Sequence, residues 1–383
     1  MSETSWGVWQ VLDVGSIWMR EFGSALSRQA KTAAWAPVMS RFGVFSNWER
    51  TVEVKEPPLR VREFPLQRGY SREPLRRLVR FESAMLERLE RATEGAPERS
   101  PLICSTPFYA PVAERWPGPV VYYSTDLTAE YDSLKRGQVH GLDRRMCRVA
   151  RSVCPNSARI AEYLVNEAGC EASKITIVPN ATRESNVAAE ALLEQGPLPE
   201  DVRDMARPIA GVIGELSGNM DWSVIADAME RTPELNWLFV GPTTRTIADR
   251  EQNSGRERVM RGRARFAGPK PYGELQAYAR SFDVAVLPYR KKEPTYSGSS
   301  TRFYEHLSAC RPMVATRGFA ELMEKVPLLM LVDTGVEMAA ALNELGAKGF
   351  RDGLERERWL ASRTGTWEQR ARTLRATLDH GRS

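Results

Sequence analysis

The chain has 383 residues, 42% hydrophobic and 27% charged, with a net charge of +5. That balance excludes a disordered polymer, and the length exceeds what one hydrophobic core usually serves, so two domains are expected. The small positive excess favours phosphate-bearing small partners and does not point to nucleic acid.

No run approaches the ~18 apolar residues of a membrane span. The start, MSETSWGVWQ, lacks the basic and apolar regions of a signal peptide, so a cytoplasmic location is expected. Cys104, Cys147, Cys154, Cys170 and Cys310 are scattered without a CxxC, and the histidines are His140, His306 and His380. Reduced buried thiols and no metal centre are the expectation. Asn180-Ala-Thr182 fits the glycosylation pattern, a match taken as accidental without a secretory signal.

In chain order, Gly7–Val14 reads as a first strand, ending at Gly15 before a helical pattern near Met19–Lys31. Further strands are expected at Pro101–Ser105, Pro119–Ser124, Ser152–Pro155 and Lys174–Pro179, with helices near Arg72–Thr93, Gly141–Ala150 and Ser157–Ala168. GPLPEDVRDMARP then reads as a linker. A second series comes after it: strands at Pro208–Gly214, Trp237–Gly241, Arg265–Gly268, Val284–Pro288, Pro312–Thr316 and Leu328–Val332. Helices are expected at Trp222–Arg231, Tyr272–Arg280, Thr301–Ala309 and Val336–Leu345. Strands alternating with helices predict an α/β protein with two parallel, doubly wound sheets. The expected organisation is an N-terminal Rossmann-like domain over 1–183, a linker over 184–207 and a second Rossmann-like domain over 208–353. A helical tail over 354–383 is expected to pack back on the first domain.

Such sheets bind ligands beyond the carboxyl ends of their strands. The loop after Pro288 carries SGSSTRFYEHLSACRPMVAT, Ser297 to Thr316. Gly298, Ser299, Ser300 and Thr301 lead into a helix whose free amides and dipole suit an anion. A plain helix cap by Ser300 or Thr301 is the competing interpretation. Arg302 sits where the dipole disfavours a cation, a penalty that a bound anion removes, and Arg290, Lys291 and Lys292 add positive charge upstream. Glu305, one turn into the helix, suits ribose hydroxyls or else a solvated surface. Gly211 to Gly218 forms a glycine-containing loop after the first strand of the second domain; it is neither GxGxxG nor a P-loop. In the first domain, Gly15 and Ser16 hold the equivalent position. Asp126 comes just after the strand PVVYYS, where it either faces a ligand crevice or caps the next helical turn.

Taken together, these segments resemble the group 1, family 4-like glycosyltransferases of the GT-B fold, and within them the teichuronic-acid or polysaccharide-biosynthesis type. The resemblance runs over roughly residues 120 to 370. It is carried by Ile175–Asn180 (ITIVPN), Gly211–Leu216 with Pro233–Gly241, Phe282–Tyr289 (FDVAVLPY) and Ser299–Thr316. It implies a nucleotide-sugar-dependent transferase of hexosyl type, with an N-terminal acceptor domain and a C-terminal donor domain. No bound cofactor or metal is implied, and a UDP-, GDP- or ADP-sugar is the co-substrate, usually used with retention. Glu305 would bind the ribose and Gly298–Thr301 the diphosphate. Arg302 stands where lysine is usual, Gly214 lies near the sugar or phosphates, and Lys270 to Tyr272 lie beside the base. Arg302, Arg290 and Asp126 would be the catalytic side chains, with Gly15 and Ser16 on the acceptor side.

The sequence also departs from the pattern. Ser297 stands where many members carry a glutamate eight positions before Glu305; Glu293, twelve positions before it at a spacing the closer subset tolerates, is the donor-binding candidate instead. Cys310 replaces a glycine, and Ser217–Asp221 (SGNMD) lacks a basic pair. These departures motivate an alternative, a protein of the same fold that binds a nucleotide or glycan without turnover. A dinucleotide enzyme is disfavoured by the absence of a glycine fingerprint. The acceptor would be a glycan or a lipid-linked molecule. Leu59–Phe81, rich in arginine among apolar residues, adds the expectation of peripheral contact with the inner face of a membrane.

Overall fold

The computed structural model describes residues 6–40, 48–67, 81–131, 134–187, 189–190 and 193–379. They fall into two compact units: one runs to Pro179 and is rejoined from Trp367, and the other is Asn180–Thr366.

In the first unit, β1 (Trp9–Val11) leads through α1 (Ile17–Ser27) to β2 (Thr32–Ser40), β3 (Arg50–Lys55) and β4 (Pro58–Gln67). Next come α2 (Phe81–Arg91), β5 (Leu102–Cys104), α3 (Ala110–Ala113), β6 (Val120–Tyr122), α4 (Arg136–Val149), β7 (Ser152–Val153) and α5 (Ala158–Asn166). Among the described residues the strands order as β3-β4-β2-β1-β5-β6-β7, and all pairs are parallel except the hairpin β3–β4. The central strands β1, β5 and β6 are buried at every residue, as a sheet covered on both faces requires.

Two expectations change here. Leu59–Gln67, expected as part of a basic amphipathic surface, is most of β4, with Leu59, Val61, Phe64 and Leu66 buried. The rest of that stretch up to residue 80, with Arg76, Arg77 and Arg80, lies outside the described residues, as does His380. Lys174–Pro179 forms no strand: Ile175 makes one isolated bridge to Val153, because β7 is only two residues long. Strands β2 to β4 are not among the expected strands: Pro37 interrupts the first, and charged residues are interleaved with the apolar ones in the other two.

In the second unit the elements are β8 (Ile209–Ile213), α6 (Trp222–Arg231), β9 (Asn236–Val240), α7 (Arg250–Arg261) and β10 (Ala264–Gly268). They continue with α8 (Leu275–Ser281), β11 (Val284–Leu287), α9 (Thr301–Ala309), β12 (Met313–Thr316), β13 (Met330–Val332), α10 (Gly335–Ala347) and α11 (Glu355–Thr364). The parallel sheet runs β10-β9-β8-β11-β12-β13. Asp221 caps α6 by accepting from the Val224 amide at 3.3 Å, which is why the helix begins where its apolar stripe does. Helix α7 gives no sequence signal because Gln252, Gly255 and Val259 are its buried positions, too few for an apolar stripe.

Residues 184–207 belong to this second unit. Val202 is buried in its core and Arg207 bonds Ser281 O and Asp283, at 2.9 and 3.0 Å. The tail divides. Helix α11 stays with the second unit, whereas α12 (Trp367–Asp379) packs on α1 in the first. There Gln29 donates to Glu368 O at 2.9 Å and Arg28 pairs with the Glu368 carboxylate.

Candidate active site

In the second sheet β8 lies between β9 and β11, so the strand order reverses at the β8–β11 junction. Ligands bind such sheets at this switch point, beyond the carboxyl ends of the strands. The two loops that leave it are laced together: Asp221 N donates to Pro288 O at 2.7 Å and Arg290 N to Asn219 O at 2.8 Å. At the end of β8, Gly214 takes φ +146, and a Cβ there would stand 3.0 Å from the Tyr289 hydroxyl and 3.6 Å from Arg302 Nε. Gly214, Tyr289 and Arg302 therefore line one small space.

Helix α9 begins in that space. Ser300 is its cap, with Oγ accepting from Phe303 N at 3.3 Å, so the cap interpretation of the sequence holds for this side chain. Ser299 is held from outside the loop: its Oγ accepts from Asn180 N at 3.0 Å and its carbonyl from Asn180 Nδ2 at 2.7 Å. The amides of Thr301 and Arg302 remain without an intrahelical acceptor, as first-turn amides do. Gly298 has an ordinary φ of −78. Helix α9 ends at Cys310, which adopts the left-handed conformation with φ +61. That explains why a glycine suits the position.

One turn into α9, Arg302 donates to Glu305 Oε2, and both side chains are largely withdrawn from water. Burial works against the Arg302 charge, but Glu305, with Tyr289 and Tyr272, outweighs it and holds the guanidinium above its ordinary value. The other oxygen, Glu305 Oε1, is buried and has no hydrogen-bond partner. An unmatched carboxylate oxygen in a buried place is costly, and a ligand hydroxyl would match it. Glu305 is thus not the solvated surface residue of the alternative interpretation.

The other candidate residues have partners of their own. Arg290 pairs with Asp249 at 2.8 Å, the residue that caps α7. Lys270 pairs with Asp201 at 2.6 Å beside the Tyr278 ring, and the Arg183 guanidinium lies 4.8 Å from the Tyr272 ring centre. Glu293 accepts from Ser297 N and Oγ at 3.2 and 2.8 Å, so the serine in the glutamate position is tied to the upstream carboxylate. In the first unit, Gly15 O accepts from Arg20 and Ser16 opens α1. Asp126 lies just beyond β6 and accepts from Tyr131, and burial lifts its carboxyl to about 6.

Two carboxylates are missed by the sequence reading. Asp13, at the β1–β5 switch point of the first sheet, has φ +65 and accepts from Ser105 Oγ at 3.2 Å. Burial raises its carboxyl to about 6 despite that bond. The short distance from Asp13 to Gly15 is its available signal. Glu321 is buried behind the start of α9, and no local sequence pattern marks it.

His306, next to Glu305, is buried with neither ring nitrogen partnered. Burial, reinforced by Arg302, pushes its pKa down to about 3 from 6.5. The folded state therefore holds it neutral, while the unfolded chain takes up a proton near pH 6.5. Its contribution is intact above pH 6.5 and is lost as pH falls toward 3, at about 1.4 kcal/mol per pH unit. His306→Leu is expected to raise the melting temperature relative to wild type, and the gap should widen from about pH 7.5 to about pH 5. An equal gap at both pH values would refute this.

No family model matches the chain. A sequence relative is TuaH of Bacillus subtilis (strain 168), a glycosyltransferase assigned to teichuronic acid biosynthesis, 22% identical over 213 residues. The match spans 56% of this chain and 49% of TuaH. Among solved structures, HepE of Anabaena in complex with UDP and glucose superposes with a TM-score of 0.71. It is 14% identical over 98% of this chain and 99% of its own. Sucrose-phosphate synthase of Thermosynechococcus elongatus gives a TM-score of 0.70 at 16% identity, over 98% of each chain.

The fold is GT-B. The resemblance drawn from four short motifs thus extends, as architecture, over nearly the whole chain. Within the GT-B frame, the β8–β11 crevice with Gly214, Arg302 and Glu305 is the switch point of the second sheet. Among the described residues no helix is long and apolar enough to cross a membrane.

Proposed function

We propose that this protein is a glycosyltransferase that moves a sugar from a nucleotide-diphosphate sugar to a glycan, lipid-linked or small-molecule acceptor. The observation that carries this reading is the unpartnered, buried Glu305 Oε1 beside Arg302 at the β8–β11 switch point. Ribose hydroxyls donate to Glu305. The diphosphate takes the Thr301 and Arg302 amides and the Arg302 charge, and the sugar lies toward Gly214. As the bond from sugar to phosphate breaks, negative charge grows on the diphosphate. A fixed guanidinium and helix amides stabilise that charge without reorganising. A buried cation in this place supports a reaction that needs no bound metal ion, and the family resemblance supports retention of configuration. On this reading the second unit binds the donor and the first the acceptor, with Asp126, Gly15 and Ser16 on the acceptor side. The reaction would run in the cytoplasm, with contact at the inner membrane face when the acceptor is lipid-linked. The UDP-glucose complex of HepE and the TuaH relationship support a uridine donor and a polysaccharide-type acceptor.

A thermal-shift screen of UDP, GDP and ADP and their sugars tests the reading. The matching nucleotide at about 100 times its Kd is expected to stabilise the fold by about 2.7 kcal/mol. Glu305→Gln should abolish most of that shift. If none of the three nucleotides moves the transition, the reading fails. A second reading, binding without turnover, is favoured by one observation: Ser297, in the position of a family glutamate, is bonded into Glu293 and presents no free carboxylate. Nucleotide binding with no release of nucleoside diphosphate across a panel of donors and acceptors would select it.

A further inference from the structure

We propose that Glu321 is a positioning residue for donor use, one that holds the peptide between Ser299 and Ser300 so that the next two amides face the diphosphate. This rests on the donor-site reading of the β8–β11 crevice.

Glu321 is 8% exposed, and both its oxygens are engaged. Oε1 accepts from the Tyr304 hydroxyl at 2.5 Å and Oε2 from the Ser300 amide at 2.9 Å. The Lys325 ammonium is 3.7 Å from Oε1. The carbonyl of the same Ser299–Ser300 peptide accepts from Asn180 Nδ2 at 2.7 Å. One peptide group is therefore gripped at both ends, by residues 21 and 119 positions away in the chain.

The grip has a consequence for the helix start. Ser300 N–H, which could itself serve an anion, is committed to a carboxylate, so it leaves the set of donors open to a phosphate. The Ser299 carbonyl is likewise turned to Asn180, which keeps a lone pair from facing incoming negative charge. The donors left at the start of α9 are Thr301 N–H and Arg302 N–H, in an orientation set by the fixed peptide before them. A buried carboxylate this close to a diphosphate would otherwise oppose it by repulsion. Its placement makes sense when its charge is matched by the Ser300 amide, the Tyr304 hydroxyl and Lys325.

The test compares UDP with uridine, which lacks the phosphates, as ligands of the full chain. Glu321→Ala is expected to weaken UDP binding about 10-fold or more while leaving uridine binding within threefold of wild type. Glu321→Gln, which keeps an acceptor for Ser300 N–H, should recover UDP binding to within threefold. Asn180→Ala frees the other end of the peptide and serves as an independent variant, expected to give the same selective loss. Equal loss of UDP and uridine in both alanine variants would mean a general structural role and would overturn the proposal, as would no loss of either. Wild-type protein that binds none of UDP, GDP and ADP would overturn the donor-site reading and this proposal together; should GDP or ADP bind in place of UDP, that nucleotide and its nucleoside take the places of UDP and uridine. Wild-type binding of UDP with an unchanged UDP-to-uridine ratio in the variants would overturn this proposal alone.

Discussion

Arg302→Ala is expected to lower turnover by about 10²–10³, the usual effect of removing one preorganised donor to a developing anion. Arg302 is the cation that combines burial with a position at the start of α9, where a dipole alone disfavours it. Arg290 pairs with Asp249 and Lys270 with Asp201, so neither carries the same expectation. The substitution also strands Glu305: breaking a buried pair at one partner costs about 3–5 kcal/mol. The stability loss and the catalytic loss must therefore be read separately. The double variant Arg302→Ala/Glu305→Gln removes the stranded charge. It should recover much of the melting temperature but none of the rate. The measurement is initial release of nucleoside diphosphate, at saturating donor, per mole of folded protein. A double variant that turns over at the wild-type rate would remove Arg302 from the chemistry.

Gly241→Ala is expected to cost at least ~3 kcal/mol of stability. Gly241 ends β9 with φ +145, a conformation that side chains rarely adopt, and an added Cβ would stand 1.8 Å from the Gly214 carbonyl oxygen. The obstacle is backbone, so no rotamer can relieve it. Nor can the two chain segments separate freely, since Gly214 N donates to Val240 O at 3.0 Å and Gly241 N to Gly268 O at 2.9 Å. Because Gly214 lines the space beside Arg302, any backbone shift that admits the methyl also displaces the β8–β11 crevice. Denaturation should show a lowered midpoint together with a lost nucleotide-induced shift. A midpoint equal to wild type would contradict the argument.

Much of the second unit could be read from local chemistry. Asp221 before an apolar stripe marks Trp222–Arg231, and Ser300 before Phe303 and Leu307 marks Thr301–Ala309; both helices run as expected. Short apolar runs such as PIAGVIG and VAVLP signal strands buried on both faces. The polar helix α7 and the hairpin β3–β4 carry no such signal, because their placement depends on the surfaces they pack against. At the site, Arg302 and Glu305 lie three positions apart on one helix, so their meeting is a local property.

Local chemistry thus specifies the two-sheet α/β class, the helix that starts at the β8–β11 crevice, and the pairing of a cation with a carboxylate on it. Which of the charged residues stay available depends instead on long-range packing. Arg290 and Lys270 are neutralised by Asp249 and Asp201, and Asn180 and Glu321 arrive from distant segments to hold Ser299 and Ser300. The backbones of Gly214 and Gly241 meet for the same reason. Helical spacing is a short-range geometry that any stretch of chain carries with it. Contacts across a sheet, in contrast, depend on how strands far apart in sequence are ordered, and that order is set by the packing of the whole unit.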